Sequence, residues 1–389
     1  MSETNKFKLL TFIRYLGDSF FYPFLSLYLN TFTFGEAKIG FLISLVPIIS
    51  MICNPIYSKL CKNSIILKRM LSLITIIEGL FILLIGYSSS YYLVLIFIIL
   101  ISISGCSHYG LLDSLTTIYS KNNNINFSSI RIFGSAAYAF GTFLSGVIAE
   151  KFSYSFCFII SFVLFFITGL IYLWVKPVYD EKKNEIEEKR SYKEVFRNKK
   201  CLLYIMFYVL VYGLIKGGTH FFSLLLNSRG LGSDIFGFVY SGVVVVELIT
   251  MLLCIKFDKK MNYKVAFLIS IISLVITNFI SSTNLPSIVI ILCYAFRGIS
   301  VAIAFHLNYK TLVYLAGLKN ITIVCLLEEL LLNIFFALVD FFGGRVIEYV
   351  SYNMFYFILA MVALFGTLYY LFIVRKFVAK NNNELENIN

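Results

Sequence analysis

Charged side chains inside long apolar runs are the residues of this sequence that could do chemistry. Arg131 stands at the start of the apolar run that ends near Ala149, and Asp113 lies in the preceding run. A guanidinium in such a place is normally kept with a carboxylate partner, or it extends to the edge of the apolar layer. The sequence therefore predicts either a pair of Asp113 and Arg131 beside a cavity or an arginine at the surface.

The charges within the apolar runs do not balance. Either some carboxylates face water or they hold a proton, because burial disfavours the charged form. The runs contain four cations and seven acids, which are Arg14, Arg131, Lys216 and Arg297, and Asp18, Glu78, Asp113, Glu247, Glu328, Glu329 and Asp340.

Two pairs have the spacing of one helical turn. Arg14 and Asp18 are four residues apart and share a face with Tyr22, so Asp18 and Tyr22 either contact solute or belong to a structural ion pair. Lys216 and His220 have the same spacing, and a lysine so far inside an apolar run favours a role in a cavity.

Several acids are candidates for carrying a proton. Glu247 lies in a valine-rich run, where a neutral carboxyl is easily kept, and it is our first candidate ahead of Glu328. Arg297, with Lys216, is expected to have an acidic partner among Glu247, Glu328 and Glu329. His306 and His220 are further candidates for proton coupling, together with Lys216 and Arg297.

Glu78 has no evident partner in the sequence. We interpret it as a protonated structural carboxyl.

Composition fixes the class of protein. The chain has 389 residues, 59% of them hydrophobic and 14% charged, with a mean hydropathy of +0.85, which is typical of an integral membrane protein. Runs of about 20 apolar residues indicate helices rather than barrel strands, so the fold is predicted to be all-α. The net charge of +12 is spread over alternate loops, which argues against nucleic acid. The eight cysteines show no metal-ligand spacing, so no metal is expected.

Twelve apolar runs predict twelve transmembrane helices, six on each side of a charged stretch. We expect an N-terminal half at 1–176, a cytoplasmic linker at 177–200, and a C-terminal half with a short tail at 201–389. Lys and Arg are concentrated on the side of both termini, so a multi-pass protein of the cell inner membrane with cytoplasmic termini is predicted. It is expected to be a monomer in the lipid bilayer.

An internal repeat supports two parallel halves. Phe24-Leu-Ser-Leu-Tyr-Leu-Asn30 recurs as Phe221-Phe-Ser-Leu-Leu-Leu-Asn227. Glycines follow both segments at the same spacing, which indicates duplicated structure.

Short motifs carry a resemblance to a known family. They are Tyr22-Pro-Phe-Leu-Ser-Leu-Tyr-Leu, Asn54-Pro-Ile-Tyr, Arg131-Ile-Phe-Gly-Ser and Gly242-Val-Val-Val-Val-Glu247. Together with two six-helix repeats, the chain resembles the major facilitator superfamily, and within it the group of lactose permease, nucleoside symporters and phenylpropionate permease. The gating motif after helix 2 departs from the family pattern, with Ser58 and Lys62 in place of Gly and Asp, while Asp258 keeps the acidic position after helix 8.

The resemblance implies a site. Asp113 and Arg131 stand where lactose permease has the acid and the arginine that bind sugar hydroxyls, and Ser135 and Tyr138 follow one and two turns later. The resemblance also implies twelve helices with solute bound at the midplane between the halves.

We therefore expect a proton-coupled symporter that imports a sugar, oligosaccharide or nucleoside by alternating access. It is not expected to be an enzyme, and it needs no cofactor beyond the proton gradient. Alternatives are an importer of aromatic or other organic acids, a drug/proton antiporter, and a solute sensor that does not transport. The antiporter is disfavoured, because the run from Arg131 to Ala149 lacks the Gly-Pro motif of exporters.

Overall fold

The computed structural model of the protein describes residues 1–32, 34–61, 64–125, 127–176 and 192–381. At six of these positions only the backbone is described, namely Ser64, Tyr192, Lys193, Ile215, Lys216 and Leu318. The part of the linker at 177–191 and the side chain of Lys216 therefore lie outside the described residues.

The described residues form α-helices and short 3-10 turns. The helices are α1 Glu3–Ser19, α2 Leu25–Asn30, α3 Glu36–Leu60, α4 Ser64–Ile85, α5 Tyr91–Gly105, α6 His108–Asn122, α7 Ser128–Lys151, α8 Tyr154–Trp174, α9 Tyr192–Arg197, α10 Lys199–Tyr212, α11 Leu214–Ser228, α12 Ser233–Phe257, α13 Tyr263–Ser281, α14 Ser287–Tyr294, α15 Arg297–Tyr349 and α16 Tyr352–Phe372. The chain is thus an all-α protein, as the apolar runs predict.

Ten helical segments of the described chain are long and apolar enough to cross a membrane. The two other predicted spans are also helical and correspond to α1 with α2 and to α4. α1 has only 17 residues and ends at Ser19, shortly before the 3-10 turn Tyr22–Phe24, in which Pro23 cannot supply the backbone N–H that a continuing α-helix needs. The count of twelve spans remains a prediction.

Several long helices are interrupted near charged candidates. α5 and α6 are separated at Cys106 and Ser107, and α14 and α15 at Ala295 and Phe296. Within α15, Gly317 has φ of 75° and ψ of 158°, a backbone conformation that is open to glycine and strained for other residues. Interrupted helices are common where a membrane protein binds ions or solutes.

The chain divides into two compact units. The first comprises Met1–Glu185 and Ser223–Ser241, and the second comprises Ile186–Phe222 and Gly242–Asn389. In the first unit α1 packs on α7 and α8, and α4 packs on α8. In the second unit α13 packs on α15 and α16, and α10 packs on α15. The first unit therefore includes the end of α11 and the start of α12. A division at the linker would assign both segments to the C-terminal half.

Equivalent residues of the internal repeat meet within the first unit. The hydroxyls of Ser26 and Ser223 lie 3.3 Å apart, and the amide of Asn30 donates to Asn227 at 3.3 Å. In both pairs the two residues are 197 positions apart, which is the offset of the repeat. Equivalent residues therefore contact each other, as they do around a local two-fold axis.

The end of the linker belongs to the second unit. Asn320 donates to the Glu194 carboxylate at 3.0 Å, and the Lys319 ammonium lies 3.7 Å from it. The hydrogen bond from Asn320, followed by the charge of Lys319, lowers the pKa of Glu194 below its usual value. These contacts place α9 beside the break at Gly317.

Backbone contact between α12 and α15 occurs at Gly298. A Cβ atom there would lie 2.4 Å from the Val243 carbonyl oxygen and 2.8 Å from the Glu247 backbone nitrogen. Because both neighbours are main-chain atoms, no side-chain rotation can relieve the overlap. The glycine therefore fixes how closely these two helices pack.

Gly298→Ala is expected to lower the melting temperature of the detergent-solubilised protein, because α12 must move away from α15. Overpacking of this kind costs about 1–3 kcal/mol. Gly242→Ala is the matched control on α12, since a Cβ there would meet no described atom within 4 Å. Equal melting temperatures for the two variants would show that the contact at Gly298 is not close-packed.

Candidate functional site

Small residues on α7 bring it close to α1. A Cβ at Gly134 would lie 2.8 Å from the Tyr15 ring, and one at Gly141 would collide with the Ser19 hydroxyl. The Ser145 hydroxyl, one turn further, donates to the Ser19 carbonyl at 2.9 Å. This face of α7 holds the polar residues of α1 at a fixed distance from Arg131.

A buried ion cluster lies at the centre of the first unit. One Arg14 amino group lies 3.1 Å from Asp18 and donates to Glu78 at 3.1 Å, and the other lies 3.0 Å from the second Glu78 oxygen. All three side chains are fully buried, and the Phe165 ring covers the guanidinium at 4.0 Å. One cation therefore serves two carboxylates.

Tyrosine hydroxyls complete the cluster. Tyr22 donates to Glu78 at 2.6 Å, and Tyr109 donates to Asp18 at 2.8 Å. Gly105 makes room for them, because a Cβ there would lie 2.5 Å from a Glu78 oxygen and 2.9 Å from the Tyr22 hydroxyl. Tyr22 and Asp18 are thus held inside the cluster, and Asp18 is fully buried.

Glu78 has partners that the sequence did not reveal. Glu78 contacts Arg14, which is 64 residues away in sequence, and Tyr22, which is 56 residues away. No spacing rule relates these residues, and the only signal in the sequence was the excess of acids over cations in the apolar runs. Tyr109 was missed for the same reason.

Arg131 and Asp113 lie together, which is the first of the two alternatives that the sequence left open. The Arg131 Nε atom is 3.9 Å from Asp113 Oδ1, and the two side chains are 36% and 43% exposed. The guanidinium stacks on the Tyr15 ring at 4.5 Å, which orients it. Its buried Nη1 atom has no hydrogen-bond partner among the described residues. This is a loose pair with unused hydrogen-bonding capacity.

The loose pair is joined to the buried cluster through aromatic rings. Tyr15 packs against Tyr109 with ring centroids 5.2 Å apart, and Tyr109 in turn donates to Asp18. A change at Arg131 can therefore reach Asp18 through two tyrosines.

Ser135 and Tyr138 continue the Arg131 face of α7. Both are half-buried, at one and two turns beyond Arg131. The Tyr138 ring lies 6.2 Å from the Tyr240 ring, so it has an aromatic neighbour within the first unit. The candidate residues of α6 and α7 thus form one partly exposed surface.

In the second unit Glu328 is buried with neutral partners. It is 4% exposed and accepts a hydrogen bond from Asn308 at 2.7 Å, and Tyr204 donates to Asn308 at 3.0 Å. No cation of the described chain lies within ion-pair distance of it. Glu328 is therefore a carboxyl in a setting that does not compensate a negative charge.

The remaining candidates of the second unit are dispersed. His220 contacts Asp340 at 3.0 Å, whereas His306 contacts Asp258, which also accepts from Lys310 and Tyr263. The two candidate histidines therefore belong to two separate histidine–aspartate contacts. Neither Lys310 nor Tyr263 was a candidate from the sequence.

Arg297 lacks, among the described residues, the acidic partner that the sequence predicts for it. Both of its amino groups lack a hydrogen-bond partner among the described residues, so the expected pairing of Arg297 with Glu247, Glu328 or Glu329 is wrong in this structure. Glu247 is half-buried in the middle of α12. The pairing expected for Lys216 lies outside what the structure describes.

Comparison with known proteins identifies the family to which the chain belongs. The family model described as Major Facilitator Superfamily matches residues 9–323. The chain belongs to the Major Facilitator Superfamily. Its family and its relatives are transporters and not enzymes, and the resemblance inferred from short motifs is confirmed at the level of the superfamily.

Individual relatives are distant. The uncharacterized transporter YwbF of Bacillus subtilis (strain 168) is 23% identical over 255 residues, which are 64% of this chain and 62% of that protein. The match thus spans less than two thirds of that relative. The crystal structure of the nucleoside transporter NupG has a TM-score of 0.79 at 15% identity, with 95% of this chain and 98% of that chain covered. That of the D-xylose-proton symporter has a TM-score of 0.72 at 14% identity, with 98% and 99% covered.

Arg14→Met is expected to lower the melting temperature strongly, because it leaves Asp18 and Glu78 buried without their cation. Removing one member of a buried ion cluster costs about 3–5 kcal/mol. Lys319→Met is the control, since its pair with Glu194 is 42% and 55% exposed and such pairs contribute about 0–1 kcal/mol. Equal effects of the two variants would contradict the structural role of the cluster.

Proposed function

We propose that the protein is a proton-coupled symporter that imports a small polar solute, such as a sugar, oligosaccharide or nucleoside, by alternating access. The observation that carries the proposal is the loose pair of Asp113 and Arg131, which is partly exposed and retains unused hydrogen-bonding atoms. The similarity to a nucleoside transporter and to a D-xylose-proton symporter supports a solute rich in hydroxyls.

The chemistry of the pair suits hydroxyl groups. A carboxylate such as Asp113 accepts hydrogen bonds from hydroxyls, and a guanidinium such as Arg131 donates several in one plane. The Tyr15 ring keeps the guanidinium in place before solute arrives, which reduces the entropy lost on binding. Tyr138 offers a ring face for a sugar or a base, and Ser135 offers a hydroxyl.

Glu328 is the carboxyl that we propose to carry the coupling proton. Burying a carboxylate without a cation is costly, so a group with only Asn308 as its hydrogen-bonding partner is readily kept neutral. Glu247, the first candidate from the sequence, is less buried and remains the second candidate. Solute and proton must then favour the same state of the transporter, and each must increase the affinity for the other.

Orientation follows from the charges of the loops. We propose cytoplasmic termini in the cell inner membrane, because Lys and Arg are concentrated on the side of the termini. In that orientation a proton gradient directed inward would drive import.

Arg131→Lys and Asp113→Asn are each expected to weaken solute binding about ten- to hundredfold, since each removes charge-assisted hydrogen bonds. An ammonium lacks the planar fork of a guanidinium, so the lysine should not restore binding. Uptake of labelled sugars and nucleosides into proteoliposomes measures the effect.

The control for this test is Glu194→Gln, an exposed change in α9. Both site variants should keep a melting temperature near that of the parent, because the pair is partly exposed and loose. Uptake at the parental level in both variants would exclude the pair as the solute site.

Glu328→Gln is expected to separate exchange from accumulation. An amide imitates the permanently protonated carboxyl, so the variant should still exchange solute across the membrane but should not concentrate it when a pH gradient is imposed. Glu247→Gln is tested beside it. Accumulation by Glu328→Gln but not by Glu247→Gln would move the coupling proton to Glu247, and accumulation by both would exclude both residues.

A further inference from the structure

The chain that follows α16 is packed against the start of α13 in the second unit. The backbone N–H of Tyr263 donates to the Lys380 carbonyl at 2.8 Å. Val378 and Ala379 are buried, and they belong to the same apolar cluster as Tyr263. Positions 374–380 are therefore held beside the connection between α12 and α13.

This packing brings seven basic residues of the second unit into one surface, which we call the basic patch. They come from positions 256–264 and 375–380, and they are Lys256, Lys259, Lys260, Lys264, Arg375, Lys376 and Lys380. All of them are exposed except Lys264, which is half-buried. The two groups are far apart in sequence, so only the contact of the chain end with α13 joins them.

The basic patch is not balanced by acids of the described chain. Asp258 is the one described acid within the two stretches, and it already accepts from Lys310 and His306. No described carboxylate lies within ion-pair distance of six of the seven basic side chains, which are Lys256, Lys259, Lys260, Lys264, Arg375 and Lys376. The next acids along the chain, Glu384 and Glu386, lie outside the described residues.

Lysines at helix ends of the first unit have partners within the protein. Lys68 donates to the Leu173 carbonyl at 3.0 Å near the end of α8, and the Lys6 ammonium lies 2.6 Å from the Glu3 carboxylate. In contrast, the six side chains of the basic patch have no ion pair in the described chain, and five of them are exposed. Their charges are therefore available to a partner outside the protein.

Exposed apolar side chains adjoin the basic patch and indicate what that partner is. Phe257 follows Lys256, and Phe372 and Ile373 precede Arg375. Exposed apolar residues followed by lysine or arginine are typical of the level at which the hydrocarbon layer meets the lipid headgroups. A soluble anion would contact only the charges, whereas a phospholipid contacts both the charges and the apolar surface.

We propose that the basic patch binds the phosphate headgroup of an anionic phospholipid, such as phosphatidylglycerol. Lysine and arginine side chains at the membrane surface attract anionic lipids, and the attraction increases with the number of charges close to one headgroup. Because two stretches supply the charges, the bound lipid joins the connection between α12 and α13 to the end of the chain and stabilises their contact. The proposal does not depend on which solute is transported.

The first experiment measures which lipid the purified protein retains. After exchange into equal parts of phosphatidylglycerol and phosphatidylcholine, native mass spectrometry should show the anionic lipid bound in about tenfold excess. The patch variant should lose this excess, because it removes four of the exposed charges; it combines Lys259→Gln, Lys260→Gln, Arg375→Gln and Lys376→Gln.

A matched control removes the same number of exposed charges outside the basic patch. It combines Lys59→Gln, Arg69→Gln, Lys121→Gln and Lys151→Gln. This control should keep the lipid preference of the parent, because it leaves the basic patch intact. Equal retention of both lipids by the parent overturns the proposal. So does a patch variant that retains as much anionic lipid as the parent, or a control that loses as much as the patch variant.

The second experiment needs no variant and compares melting temperatures of the parent in nanodiscs. Equal parts of phosphatidylglycerol and phosphatidylcholine should give a higher melting temperature than phosphatidylcholine alone. The difference should decrease with added salt, because exposed charges are screened. Inorganic phosphate added to phosphatidylcholine nanodiscs tests a soluble source of the same group. A rise with inorganic phosphate as large as that with phosphatidylglycerol, or no rise with phosphatidylglycerol, overturns the lipid assignment.

Discussion

Compensation of buried charge is the constraint on which the first unit depends. Arg14 lies among apolar helices, where a lone guanidinium would be costly, and Asp18 and Glu78 surround it at hydrogen-bonding distance. The cluster joins α1 to α4, and the hydroxyl of Tyr109 joins it to α6. The cluster therefore connects α6, which carries Asp113, to α1 and α4 through a single set of charges.

Close helix packing makes these contacts possible. Gly105 leaves space for Glu78, and Gly134 allows Tyr15 to lie under the guanidinium of Arg131. A larger residue at either position would displace an ionic or aromatic contact as well as a helix. Small residues thus determine the electrostatics of the first unit as well as its packing.

The second unit handles its charges differently. Arg297 and the Oδ2 atom of Asp340 have no partner in the described chain, and Glu328 has only the neutral Asn308. Groups left uncompensated in an apolar setting lower stability, and they are retained where a ligand or a proton supplies the missing charge. Among the described residues, the buried charges of the first unit thus lie at ion-pair distance from each other, whereas Arg297 and Glu328 of the second unit have no oppositely charged partner.

The sequence alone determined the membrane class and the all-α fold, because these follow from hydropathy, whereas the connection of consecutive helices gave the proximity of Asp113 and Arg131 as one of two alternatives. Local spacing also gave the pair of Arg14 and Asp18, since residues four apart share a helical face whatever the fold. Only the tertiary structure decided that Glu78 completes this pair and that Arg297 lacks one. Such contacts depend on the rotation of each helix about its axis and on the close approach at Gly105 and Gly218, and neither is encoded in the spacing of residues along one helix.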